Sequence, residues 1–341
     1  MKLLVILGVF AVATLTYAFK TRLCEGDCDQ PLDRNAPCQC NSACVRYNDC
    51  CSDYNQCNSA GTRPTLPSTP IWPWQRMLEG KTLTEGARTD VELEALSESL
   101  WRSDVNRAST SDVQFSTSQG SKLFSYVNPS VLSRPTFVAL RALLDNYIAE
   151  VGTSEPVCTQ CRQEEDAFIN AVLETDVMKQ AWDFLVMYNL ASSNRNTFVQ
   201  QLKDTWFKVY SRSKGRAMDS SGFEHVFVGE IKSSKVSGFH NWVQYYQEEK
   251  EGETELFSER ERCQPAPVLT VSHNWQGAFK EIGGWYMRTS PEFEMAIYTV
   301  CFNIRKNSVC NLLMDGYRSS IQTYDFNGVS PRTVATAYPK C

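Results

Sequence analysis

The sequence predicts an α+β protein made of a small cystine-rich module, a Pro-rich linker and one larger domain. Three observations carry this. Eight of the 14 cysteines fall within residues 24–57. Pro64, Pro67, Pro70 and Pro73 follow, mixed with Ser and Thr. Beyond them, helical periods come first and strand-like runs second. Helices segregated from strands indicate α+β architecture, not a doubly wound parallel sheet. The 341-residue chain is 42% hydrophobic, enough for a sizeable core. A net charge of −5 leaves no bulk basicity to hold a nucleic acid.

The elements follow in chain order. Lys2 precedes a nearly unbroken apolar run from Leu3 to Leu15, and Thr16-Tyr17-Ala18 places small residues at the cleavage-defining positions. Residues 1–18 therefore read as a secretory signal peptide, and an extracellular location is expected. No later run is long and apolar enough to suggest a membrane partner. Cys24, Cys28, Cys38, Cys40, Cys44, Cys50, Cys51 and Cys57 then crowd a segment with few large aliphatics. Such a segment cannot build its own core and must be cross-linked, which needs an oxidising compartment. Residues 58–77 form a stiff, extended linker, and residues 78–341 have the composition of a globular domain.

Within that domain, a helix is expected after Asp90, a plausible cap for the Val91-Glu-Leu-Glu-Ala-Leu run. Another opens at Pro135, with Phe137, Leu140, Leu144, Tyr147 and Ile148 on one face. Residues 163–189 and 196–210 also read as helices. Strands are expected over residues 226–231, 236–242, 268–273, 297–302, 321–326 and 333–338. Cys158-Thr-Gln-Cys161 is a lone CxxC, better read as a structural disulfide than as a redox or metal site. An even set of six cysteines (Cys158, Cys161, Cys263, Cys301, Cys310, Cys341) permits three further bridges.

The chemistry concentrates in residues 221–242. Lys232-Ser233-Ser234-Lys235 is a short polar break between two apolar runs, a hairpin signal. If Ser233 and Ser234 make the turn, Ile231 pairs with Val236 and Phe227 with His240. His225 and His240 would then be diagonal neighbours on one face, roughly 7–8 Å apart at the backbone. Two imidazoles so placed suit metal-free RNA cleavage: one takes the 2′-hydroxyl proton, the other protonates the departing 5′-oxygen. A fixed cation would offset the charge on phosphorus. A metal site or structural histidines fit the spacing as well.

Two resemblances narrow these alternatives. Cys-Val-Arg-Tyr-Asn-Asp-Cys-Cys-Ser-Asp-Tyr-Asn-Gln-Cys, ending at Cys57, resembles the somatomedin B domain, which implies a protein-docking module with a protein partner. Gly-Phe-Glu-His-Val-Phe-x-Gly-Glu and Lys-Val-x-Gly-Phe-His-Asn-Trp resemble the EndoU family of uridylate-preferring endoribonucleases. So do Asn274-Trp-x-Gly-x-x-Lys280 and Thr336-Ala-Tyr-Pro339. The resemblance spans about residues 78–341. It implies His225, His240 and Lys280 as the catalytic triad, with His240 as base and His225 as acid. It also implies Thr336 and Tyr338 as uridine contacts. The implied substrate is single-stranded U-rich RNA, cut to 2′,3′-cyclic phosphate and 5′-hydroxyl ends. It further implies activation by Mn2+ or Ca2+, with Glu224 and Glu230 at acidic positions linked to that dependence. The hairpin register places both glutamates on the face opposite the histidines. A secreted RNA-binding or adhesion protein with vestigial nuclease activity is the alternative, disfavoured by the intact triad. A protease lacks a nucleophile motif. Oligomeric state is not legible.

Overall fold

The computed structural model describes residues 71–78, 85–118, 122–263 and 266–340, with residues 85–88 described by their helix alone. The chain divides into two compact units, Met1–Ile71 and Trp72–Cys341. The expected signal segment, the eight clustered cysteines and the linker as far as residue 70 lie outside the described residues. The end of the expected linker forms α1 (Pro73–Leu78), whose Trp74 is buried against Phe184 with ring centres 5.4 Å apart.

The larger unit runs from helices to sheets, as expected for α+β. Helix α2 (Glu85–Ser103) begins ahead of Asp90 and buries Leu93, Leu96 and Leu100, spaced by one and two turns. A short ribbon, β1 (Val113–Phe115) and β2 (Phe124–Val127), leads into α3 (Pro129–Leu132) and α4 (Pro135–Leu143). Each of these two helices starts on a proline, whose fixed φ suits the first turn. The helix expected over residues 163–189 is two helices, α5 (Thr159–Leu173) and α6 (Asp176–Met187). Thr175 separates them because its side chain accepts from the Met178 amide and caps a new helix. Helix α7 (Arg195–Trp206) is capped by Asn194 and stops short of residue 210.

The second half departs further from expectation. Residues 224–228 form a π-helix, Glu224–Val228, and not a strand. All five of its residues are buried, so no polar–apolar alternation marks its period. Phe227 packs on Trp206 and Phe223 with ring centres 5.7 and 4.9 Å away. The hairpin itself is present but short: β3 (Glu230–Lys232) and β4 (Lys235–Ser237), with Ile231 opposite Val236 as expected. Ser233 and Ser234 both take positive φ, 52° and 60°, as a two-residue hairpin turn requires. Beyond Ser237 the expected strand gives way to Gly238 and Phe239, also at positive φ. Asn241 then caps α8 (Trp242–Glu251).

Strands β5 (Thr254–Cys263), β6 (Val268–Trp275) and β7 (Ala278–Tyr286) complete a five-stranded sheet of order β3-β4-β7-β6-β5. Its neighbours are antiparallel except β4 with β7. The strand expected over residues 297–302 lies inside helix α9 (Pro291–Ile304). Ser290 caps it and Pro291 opens it, while burial on all sides erases any amphipathic period. Strands β8 (Val309–Met314), β9 (Tyr317–Asp325) and β10 (Val334–Lys340) form an antiparallel sheet ordered β10-β9-β8; the last two match the expected runs. Helices and sheets share one hydrophobic core. Cys158 and Cys161 form the expected structural disulfide at the start of α5, Cys301 bonds Cys310, and Cys263 is disulfide-bonded too. Among the described residues, no helix is long and apolar enough to cross a membrane.

Candidate active site

His225 and His240 are brought together by backbone hydrogen bonds, not by an extended hairpin. The chain leaves the π-helix at Gly229, makes β3 and β4, and returns across the helix it left. There the Phe239 amide donates to the His225 carbonyl at 2.9 Å, and the His240 amide to the Val226 carbonyl at 2.7 Å. The imidazole centres are 6.4 Å apart. Gly238 permits the return. Its φ is 67°, and a Cβ there would lie 1.8 Å from the His225 carbonyl oxygen. We expect Gly238→Ala to cost about 3 kcal/mol, read as a lowered urea midpoint, with the histidine pair pulled apart.

Each imidazole is held through Nδ1. His240 Nδ1 lies 2.8 Å from the Gly284 carbonyl of β7. A carbonyl only accepts, so Nδ1 carries the hydrogen and Nε2 is the bare nitrogen of the neutral ring. His225 Nδ1 donates to Glu230 Oε2 at 2.8 Å. The other Glu230 oxygen accepts from Arg212 Nε at 3.0 Å and from the Ser220 hydroxyl. Lys280, only 8% exposed on β7, donates its Nζ to the Gly238 carbonyl at 2.6 Å. The Tyr338 ring stacks on His240 at 5.2 Å and 26°. Thr336, two residues earlier on β10, opens on the same side of the strand. His225, His240, Lys280, Thr336 and Tyr338 all line one cleft of about 460 Å³.

The electrostatics separate the two histidines. Burial lowers both below the ordinary imidazole value. His225 is partly restored by the Glu230 carboxylate. His240 has no carboxylate among the described residues to restore it; after burial, Lys280 and His225 as cationic neighbours hold it well below that value. Burial also pushes Glu230 up, but His225, Arg212 and Ser220 together bring it below its usual range. Lys280 is lowered to about 8 by burial, against the pull of Glu230. His273, outside the expected triad, is a neutral scaffold residue. Its buried ring packs within 5.2 Å of Phe239 and Tyr245, and burial drops it to about 3.

The expected placement of Glu224 and Glu230 is corrected. Glu230 does not face away from the histidines; it bonds His225, because the π-helix replaces the strand on which the register was counted. Glu224 is fully buried with neither carboxylate oxygen partnered, and burial, with Glu155 and Glu230 adding, pushes it up to about 10. A hard cation wants six to eight oxygen donors, several of them charged. A neutral Glu224 and a Glu230 with both oxygens engaged do not fit Mn2+ or Ca2+, and no group of three acidic, His or Cys side chains could hold a metal ion among the described residues. Sequence reasoning missed Arg212, Ser220, Gly238 and Gly284. Only Gly238 carried a signal, since an isolated glycine in a strand-like run marks a close backbone approach.

Comparison with known proteins agrees with this architecture. Residues 92–339 match the family model "Endoribonuclease XendoU", and residues 22–60 match the "Somatomedin B domain". The chain is 33% identical to a "Uridylate-specific endoribonuclease" of Bos taurus, over 99% of this chain and 98% of that protein. It is 36% identical to one of Mus musculus, over 92% and 77%. Among solved structures it resembles the one described as "The structure of XendoU: a splicing independent snoRNA processing endoribonuclease". The identity is 34% and the TM-score 0.63, covering 76% of this chain and 98% of that one. The chain is therefore a member of the Endoribonuclease XendoU family, carrying a somatomedin B domain ahead of the family's domain.

Proposed function

We propose that this protein is a secreted endoribonuclease that cuts single-stranded RNA at uridylates, leaving 2′,3′-cyclic phosphate and 5′-hydroxyl ends. One observation carries the reading: two buried histidines, each tied at Nδ1, share a cleft with a buried lysine. In the proposed reaction His240 Nε2 takes the 2′-hydroxyl proton. The freed oxygen attacks phosphorus, and the bond to the 5′-oxygen breaks as that oxygen takes a proton from His225 Nε2. The order of roles follows the electrostatics: the carboxylate-backed His225 holds a proton more readily than His240, which sits beside Lys280. The Lys280 ammonium offsets charge building on phosphorus.

The uridylate preference rests on the names of the relatives. Tyr338 over His240, with Thr336 beside it, offers a stacking surface and a hydroxyl for one base edge. The reading keeps the organisation expected from the sequence: signal segment 1–18, docking module 24–57 with a protein partner, linker 58–77 and catalytic domain 78–341. No step is routed through a metal, and an activating Mn2+ or Ca2+ would bind elsewhere than Glu224 and Glu230. The test is the end chemistry of a cleaved U-rich oligonucleotide, with and without manganese. We expect a 2′,3′-cyclic phosphate beside a 5′-hydroxyl; a 3′-hydroxyl product would overturn the mechanism.

A further inference from the structure

A second cleft, of about 580 Å³, lies apart from the histidines. Arg107, Arg262 and Arg288 line it with Phe115, Ser109 and Thr110, and no Asp or Glu lines it among the described residues. In a chain of net charge −5 this is a local reversal of sign. The arginines are organised. Phe115 has the Arg288 guanidinium 4.9 Å and the Arg262 guanidinium 5.2 Å from its ring centre. Arg107 lies 3.6 Å over the Trp101 ring. Arg262 is paired with Glu259. Arg107 and Arg288 donate only to the backbone carbonyls of Trp101 and Val113 and have no carboxylate within ion-pair distance among the described residues. Asp104 and Asp315 act on Arg107 only from farther away. Arg107 and Arg288, half-buried and stacked on aromatic rings with no ion-paired carboxylate among the described residues, are held ready for an anion. Phosphate oxygens match the guanidinium fork in geometry and charge.

The position of the cleft suggests which anion. Glu261 and Thr270 border the histidine cleft, while their immediate chain neighbours Arg262 and Leu269 border the arginine cleft. The two clefts therefore lie back to back across β5 and β6, and β5 is an edge strand of its sheet. We propose that the arginine cleft is a second RNA-backbone site, holding a phosphate of the same strand outside the catalytic cleft. This rests on the ribonuclease reading.

The test uses the full chain and binding of an uncleavable fifteen-nucleotide deoxyuridine oligomer, compared with a trinucleotide that fills only the catalytic cleft. Two variants are compared with wild type. One is the double substitution Arg107→Gln and Arg288→Gln. The other is Thr110→Glu, which puts a negative charge in the cleft at an exposed residue and decides the matter if the double variant misfolds. We expect both to bind the long oligomer about tenfold more weakly, with the slope of log affinity against log salt reduced by about one. Trinucleotide binding and cleavage should be unchanged. Unchanged binding of the long oligomer overturns the proposal and leaves the ribonuclease reading standing. So does a loss confined to inorganic phosphate or heparin. If the variants lose the oligomer while the wild type cuts no RNA, the cleft stands and the ribonuclease reading falls.

Discussion

Replacing His240 by alanine is expected to lower cleavage of a uridine-containing oligonucleotide by about 10⁴-fold while leaving its binding within a few-fold. His240 Nε2 is the bare nitrogen because Nδ1 is committed to the Gly284 carbonyl. Its lowered pKa, from burial and then from Lys280, keeps it neutral at pH 7 and ready to accept a proton. Alanine removes that acceptor and also the ring under Tyr338. The two effects part in the kinetics: loss of the base falls on kcat, loss of the stack on KM. An alanine variant that cuts as fast as wild type would refute the assignment of His240.

The second large effect belongs to Glu230. Glu230→Gln is expected to reduce kcat/KM by about 100-fold, the usual scale for losing the partner that fixes a functional imidazole. It should also change the shape of the pH profile. In the proposed mechanism activity requires neutral His240, so it should rise as pH passes the strongly lowered pKa of His240. The mechanism also requires protonated His225, so activity should fall as pH passes the pKa of His225, itself lowered from 6.5. It falls again above about 8, where Lys280 loses its charge. The optimum therefore lies on the acid side of 6.5, with limbs that belong to the coupled pair. Glu230 raises His225 against the effect of burial. Without the carboxylate, the falling limb moves to lower pH. A purely structural role would scale the whole curve down without moving that limb, so the pH dependence of kcat/KM decides between them.

Much of this was legible in the sequence. Strands β6, β9 and β10 announced themselves by their apolar runs, and the Ser233-Ser234 turn by its polar break. The turn already brought His225 and His240 together, but Lys280, Thr336 and Tyr338 were legible only as motifs, which quote the side chains and omit what aims them. The bonds from Phe239 and His240 to the π-helix are between backbones, and Arg212 reaches Glu230 from 18 residues away; neither leaves a mark on local pattern. Helix α9 escapes the pattern for a related reason. Its residues are buried on every side, and a helix with no polar face has no period to detect.

The peptide at Gly238 serves three groups at once. Its carbonyl receives Lys280, its missing side chain makes room for the His225 carbonyl, and the next two amides lock onto the π-helix. His225, His240 and Lys280 are thus all referenced to this one short stretch of chain, beside the bonds that Glu230 and Gly284 make to the two Nδ1 atoms. Opening that stretch disassembles all three together. The hydrogen-exchange rates of the Phe239 and His240 amides consequently measure the free energy of opening the histidine–lysine cluster, a quantity that RNA binding in the proposed site would raise and that the rest of the fold need not share.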